Sequence, residues 1–367
     1  MNLEEFDYVL PSERIAQRPL DQRDASRMLL LDRASGRFED RMFRDFPNLL
    51  KGHEFIVVNN ARVLPARLFG LRAGIHAQPV GKNSPIRGQS LSTEIEVLLL
   101  RCVDENEWEA LVRPGRKISV GETIMFGNGE LRAKVTSRGG YGHRTLAFAA
   151  NGNVREAIER LGHVPLPPYI KREDEASDRE RYQTVFAQGG SAVAAPTAGL
   201  HFTKEMLAGL RERGVEIHEI TLDVGLGTFE PVRTEQLEDH HIHKESYEIS
   251  PETSEAISRA KNNRRPVLAI GTTVVRALED AAEKASQSSN YQKMPLQAGR
   301  FEAEIFLYPG KPFRVVDQLL TNFHLPRSSL LALVAAFAGR DNILRAYRHA
   351  VEANYRFYSY GDCMWIR

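Results

Sequence analysis

VLAIGTTVV, residues 267–275, sets a four-residue apolar run against Gly271-Thr272-Thr273 and then a helical pattern. An apolar run of that length reads as a strand buried on both faces, and a helix from Val274 would turn its first N–H groups toward the Gly-Thr-Thr turn. Strand, tight turn and helix in succession is the unit of an α/β fold. The same grammar recurs outward from it. Phe55-Ile56-Val57-Val58 is another buried-strand run, ending in Asn59-Asn60-Ala61-Arg62. SAVAAPTAGLHF, residues 191–202, leads into Thr203, the N-cap of a helix expected near 204–213 and stopped by Gly214. A strand-like run, 215–224, ends in Gly225-Leu226-Gly227-Thr228-Phe229, and Pro251 starts a helix reaching Asn262. A strand over 303–308, an apolar helix over 328–338 and an amphipathic one over 342–354 complete the pattern.

Between residues 66 and 151 the texture changes to short strand-like runs at 94–102, 107–113, 122–126, 131–136 and 144–149, separated by Gly-rich turns. Spacing near ten residues with such turns is the signature of a small antiparallel barrel. The fold expected is therefore α/β: a main layered domain, residues 1–65 and 152–367, with a small antiparallel β-barrel domain inserted at 66–151. Residues 72–92 read as a flexible loop and 284–297 as a surface linker.

With 367 residues, 42% hydrophobic and 26% charged, the chain has enough apolar material for a substantial core. The acidic N-terminus and the absence of a long apolar run predict a cytoplasmic protein with no membrane partner. Cys102 and Cys363 are too few for a thiolate zinc site and read as packing residues. Net charge is +1, with a modest excess of +4 over 66–151, which suits a chain that meets nucleic acid mainly on one side.

Ligand signals concentrate in the loops. Thr197, Ala198 and Gly199 allow close backbone approach, and Gly271, Thr272 and Thr273 form a second cradle at a helix start. No Lys follows, which rules out a standard P-loop, and Gly225-x-Gly227 is only half a dinucleotide fingerprint. Arg23 and Arg27 flanking Asp24 suit a phosphate or carboxylate clamp, or equally a solvated charged face. His240, His241 and His243 fit no trusted zinc spacing, so no metal is expected. Neither a nucleophile elbow nor a P-loop appears, which weighs against a hydrolase or phosphotransferase.

Taken together, LPSERIAQRPLDQRDASR (10–27), VNNARVLPARL (58–68), ALVRPGRK (110–117), VPLPPYIKR (164–172), ERYQTVFA (180–187), AVAAPTAGLHFT (192–203), VGLGTFEPVR (224–233), IGTTVVRALE (270–279), LLTNFHLP (319–326) and YRFYSYGD (355–362) resemble the S-adenosylmethionine:tRNA ribosyltransferase-isomerase family of queuosine biosynthesis. The resemblance covers nearly the whole chain in order. It departs at Asp223, where the family more often has His, and in the length of 72–92. It implies transfer and isomerisation of the ribosyl moiety of S-adenosylmethionine onto 7-aminomethyl-7-deazaguanine at the tRNA wobble position, giving epoxyqueuosine-tRNA, adenine and methionine. S-adenosylmethionine would be a consumed substrate with no further cofactor, and the chain a monomer. A non-catalytic RNA-binding protein and another α/β nucleotide-utilising enzyme are the competing readings.

The sulfonium acidifies the C5′ protons, so the chemistry needs a positioned base. His201 and His324 lead, each beside a Phe and ahead of a helix start, with Asp223 and His243 behind them. Asp362, Tyr360 or Thr272 are candidates to meet the departing adenine. The methionine carboxylate is expected at Arg23, Arg276 or the 271–273 helix start. Gly225, Gly227, Thr228, Phe229 and Asn322 complete the expected donor site, and Arg62, Arg113, Arg116, Lys117, Lys171 and Arg172 are expected on tRNA phosphates.

Overall fold

The computed structural model describes the chain except residues 75–90, 226–231, 233, 241 and 288–295 and the side chains of 74, 91–93 and 117. Its strands, in chain order, are β1 (Arg27–Leu31), β2 (Phe38–Met42), β3 (Phe55–Asn59), β4 (Ala61–Val63), β5 (Arg67–Gly74), β6 (Leu91–Asp104), β7 (Glu107–Arg113), β8 (Thr123–Phe126), β9 (Leu131–Arg138), β10 (His143–Ala150), β11 (Gly189–Ala192), β12 (Glu216–Leu222), β13 (Glu245–Ile249), β14 (Val267–Ile270), β15 (Gly299–Ala303), β16 (Gln318–Asn322) and β17 (Cys363–Ile366). The α-helices are α1 (Phe46–Leu49), α2 (Val154–Leu161), α3 (Asp178–Arg181), α4 (Lys204–Glu212), α5 (Pro251–Asn262), α6 (Thr272–Ser286), α7 (Ser329–Ala338) and α8 (Arg340–Glu352). The chain divides into two compact units, one of Met1–Arg62, Pro167–Glu173 and Glu180–Arg367, the other of Val63–Leu166 and Asp174–Arg179.

In the first unit, alternate residues of the apolar strands go to opposite faces of one nine-stranded sheet, ordered β15-β13-β12-β3-β14-β16-β17-β1-β2. Leu29, Leu31, Phe55 and Val57 join one core with residues of α5, α6, α7 and α8; Met28, Leu30, Ile56 and Val58 join another with Phe43, Phe46, Phe202 and Leu207. Both faces are covered, which is why β3 and β14 are apolar at nearly every position. β12, β3, β14 and β16 run parallel at the centre. Their carboxyl ends therefore open on one edge, where α/β sheets bind ligands.

Local chemistry sets the helix starts. Thr203 caps α4 by accepting the Met206 N–H, Ser250 caps α5 ahead of Pro251, and Ser328 caps α7. α6 begins at Thr272, two residues earlier than the pattern implied, and continues to Ser286 into what read as a linker. The strand expected at 303–308 instead lies at Gly299–Ala303: Asp280 captures the N–H groups of Glu304 and Ile305 at 2.9 and 3.2 Å, so those groups leave the ladder. Cys363 is buried as expected, whereas Cys102 is exposed.

The second unit holds a closed antiparallel barrel, β10-β7-β6-β5-β8-β9. Five of its strands match the sequence pattern; β5, at the edge of the stretch read as a loop, does not. Gly70 explains β5. A side chain there would sit 2.6 Å from the Phe126 ring and 2.7 Å from the Met125 carbonyl, so the strand carries a gap in its apolar pattern where β8 must approach. Residues 75–90 lie outside the described residues. Gly70→Ala is expected to destabilise this unit by roughly 1–3 kcal/mol through overpacking, read as a lower urea midpoint for Trp108 fluorescence.

Candidate functional site

Three loops expected in one place are brought together at the carboxyl edge of the parallel strands. Pro196, Thr197 and Ala198 come from the turn after β11; Gly271, Thr272 and Thr273 from the β14–α6 junction; Thr321, Asn322 and His324 from the end of β16. With Tyr169, Tyr358 and Ser359 they line a cavity of about 220 Å³. Gly271 has φ 100°, a conformation open to glycine at little cost, and Ala198 Cβ lies 3.6 Å from where a Gly271 side chain would begin. Gly199 is needed for another reason: a side chain would meet Phe186 at 2.5 Å, behind the turn.

The two leading histidines part company here. His324 lines the cavity, with its Nε2 2.8 Å from Thr321 Oγ1. Its backbone is fixed from both sides, the N–H donating to the Tyr347 hydroxyl at 3.1 Å and the carbonyl accepting from the Tyr8 hydroxyl. Burial pushes its pKa down to about 3. His201 is packed against the Phe43 ring and lines a separate, much smaller cavity of about 30 Å³ with Arg23, Arg181 and Tyr360. Its Nδ1 lies 2.6 Å from Ser26 Oγ and its Nε2 3.4 Å from Asn322 Oδ1. Asn322 Nδ2 already donates to the Tyr358 carbonyl at 2.9 Å, so Oδ1 is the acceptor; His201 therefore carries its proton on Nε2 and accepts from Ser26 at Nδ1. Burial, opposed by the Asn322 hydrogen bond, lowers its pKa to about 4.

Other expected site residues lie elsewhere. Asp223 is spent on the Ser191 N–H at 2.7 Å, and His243 is exposed. Arg276 is buried against Glu245 and donates to the His243 and Ala303 carbonyls. Glu245 in turn accepts the Gly225 N–H at 3.2 Å, so this pair holds the start of the glycine loop. Gly227, Thr228 and Phe229 lie outside the described residues. Arg23 donates to the Leu200 and Glu180 carbonyls at 3.2 and 2.8 Å and braces the turn from behind. Asp362 accepts the Arg27 and Arg356 N–H groups, both at 2.8 Å, and burial raises its pKa.

Of the basic residues, Arg62, Lys171 and Arg172 belong to the first unit and Arg113 and Arg116 to the second. Lys171, Arg113 and Arg116 are exposed, the Arg172 guanidinium donates to the Gln17 and Glu173 carbonyls, and the Lys117 side chain lies outside the described residues. Sequence reasoning did not single out Tyr169, Tyr358 or Ser359 as cavity wall. Among the described residues no group of three or more His, Cys, Asp or Glu is placed to hold a metal, and no helix is long and apolar enough to cross a membrane.

Residues 3–366 match a family model described as queuosine biosynthesis protein. The chain is 53% identical to the S-adenosylmethionine:tRNA ribosyltransferase-isomerase of Solibacter usitatus and 48% identical to that of Moorella thermoacetica, each alignment covering 100% of both chains. A crystal structure of S-adenosylmethionine tRNA ribosyltransferase from Thermotoga maritima is 33% identical, with a TM-score of 0.52 over 99% of this chain and 100% of that one.

Both buried histidines have pKa values below the ordinary 6.5. The unfolded chain therefore binds protons that the folded chain refuses, and stability is lost as pH falls from about 6.5 toward 4. Denaturant titrations at pH 7 and pH 5 are expected to show that loss, and His201→Asn to make it shallower. An unchanged slope in the variant would place the His201 pKa near its ordinary value.

Proposed function

The chain belongs to the queuosine biosynthesis protein family and is an enzyme of the ribosyltransferase-isomerase type; we propose that it moves the ribosyl moiety of S-adenosylmethionine onto 7-aminomethyl-7-deazaguanine at the tRNA wobble position. The sugar is isomerised in the process, giving epoxyqueuosine-tRNA and releasing adenine and methionine. The donor is consumed, the reading calls for no further cofactor, and the cytoplasm is the compartment that supplies tRNA. The observation that supports it most is the convergence of the 196–198, 271–273 and 321–324 loops on one cavity within a single chain.

In this reading His324, the histidine on the cavity wall, handles the C5′ proton that the sulfonium acidifies. It is unprotonated at physiological pH, as a base must be before it acts, and Thr321 orients its ring. His201 acts through Asn322 as a positioning residue. Lys171, Arg62, Arg172, Arg113 and Arg116 are assigned to phosphates, contacts that orient tRNA without reading its sequence.

Incubation with S-adenosylmethionine and undermodified tRNA is expected to yield free adenine and a ribosylated nucleoside by mass. Methyl transfer alone, or no adenine, overturns the reading. His324→Ala is expected to slow adenine release by roughly 10²-fold or more, and a near-normal rate in the folded variant removes His324 from that role. Binding to tRNA is expected to weaken steeply with salt, and Lys171→Ala to reduce the log–log slope by about 1.

A further inference from the structure

The amino end of α6 is the least satisfied part of the cavity wall. α7, whose start also borders the cavity, is closed by Ser328, whose hydroxyl accepts the Leu331 N–H at 3.2 Å. α6 has no such cap: its N-cap is Gly271, with no side chain to offer, so the first turn of a 15-residue helix borders the cavity without a side-chain cap among the described residues. A second, independent feature lies beside it. Thr273 is only 8% exposed, lines the cavity, and its hydroxyl has no hydrogen-bond partner among the described residues. Its Oγ1 lies 3.6 Å from where a Gly271 side chain would begin. A buried hydroxyl without a partner costs desolvation energy unless a ligand satisfies it.

Resting on the donor reading above, we infer that the Gly271–Thr273 end of α6 is the subsite for the carboxylate of the amino-acid portion of S-adenosylmethionine. The helix start supplies donors and positive partial charge, which favour an anion over a neutral hydroxyl or ring nitrogen, and the carboxylate is the donor's one anionic group. Thr273 completes the cradle with a hydrogen bond to charge. Of the other groups that suit a carboxylate, Arg23 and Arg276 are committed to internal partners, and Arg327, which also lines the cavity, is half exposed and pairs with Glu4 at 3.7 Å.

The test is calorimetric titration of the full chain with S-adenosylmethionine and with its decarboxylated analogue. Wild type is expected to bind the carboxylated compound at least about tenfold more tightly. Thr273→Val, which keeps the shape and removes the hydroxyl, is expected to lose about tenfold in affinity for S-adenosylmethionine and none for the analogue, while Thr273→Ser keeps both. Equal wild-type affinities overturn the carboxylate subsite but leave the donor reading standing. Undiminished discrimination in Thr273→Val places the carboxylate elsewhere and overturns the assignment, as does equal weakening toward both compounds. Binding of neither compound by wild type overturns the donor reading and this inference with it.

Discussion

Asn322, the last residue of β16, ties four distant parts of the chain to one buried point. Its Nδ2 donates to the carbonyls of Tyr358 and Ser359 at 2.9 and 3.4 Å, its Oδ1 accepts from His201, and His201 reaches Ser26. Asn322, His201, Ser26 and Ser359 are all nearly inaccessible to solvent. In such surroundings a lost partner exposes the full desolvation cost of the group left behind, about 1–3 kcal/mol, so the links stand or fall together. The cavity inherits its shape from this knot, because Tyr358 and Ser359 are bonded to it directly and Thr321 and His324 stand within two positions of Asn322.

The opposite wall is held by charge. α6 carries Arg276, Glu279 and Asp280 on its buried side, each answered from outside the helix. Arg276 pairs with Glu245 of β13; Glu279 accepts the N–H groups of Arg314, Val315 and Val316 at 2.7, 3.0 and 2.9 Å; Asp280 takes Glu304, Ile305 and the Tyr247 hydroxyl. Burial of this kind adds little net stability, since desolvation offsets much of the attraction. What it does is fix position: a helix pinned by three charged groups within little more than one turn cannot slide along the sheet. Its amino end is consequently held against Ala198, where a carboxylate would need it.

Most of the first unit was legible because its determinants are local. The apolar runs of β3 and β14, the caps Thr203, Ser250 and Ser328, and Pro251 each act within a few residues of themselves. Where the reading slipped, the deciding partner was remote in sequence. β15 ends at Ala303 because Asp280, on α6, takes the next two N–H groups; β5 was hidden because Gly70 answers to Phe126 across the barrel. The 271–273 and 321–324 loops share an edge because β14 and β16 are parallel neighbours, whereas 196–198 follows β11, which pairs with β4 outside that sheet.

The two histidines show where local reading stops. Each stands beside a Phe in a tight turn ahead of a helix, His201-Phe202 before α4 and Phe323-His324 before α7, and nothing within either motif separates them. Their fates are set by Ser26 and Asn322 in one case and by Tyr8, Tyr347 and Thr321 in the other. The first set draws the imidazole behind the turn into a closed relay; the second holds the backbone of His324 and leaves its ring on the cavity wall. Burial makes both neutral, so the pKa does not distinguish them. Access does: an imidazole takes a proton only from an atom it can reach, and of this pair only His324 borders the space a ligand would fill.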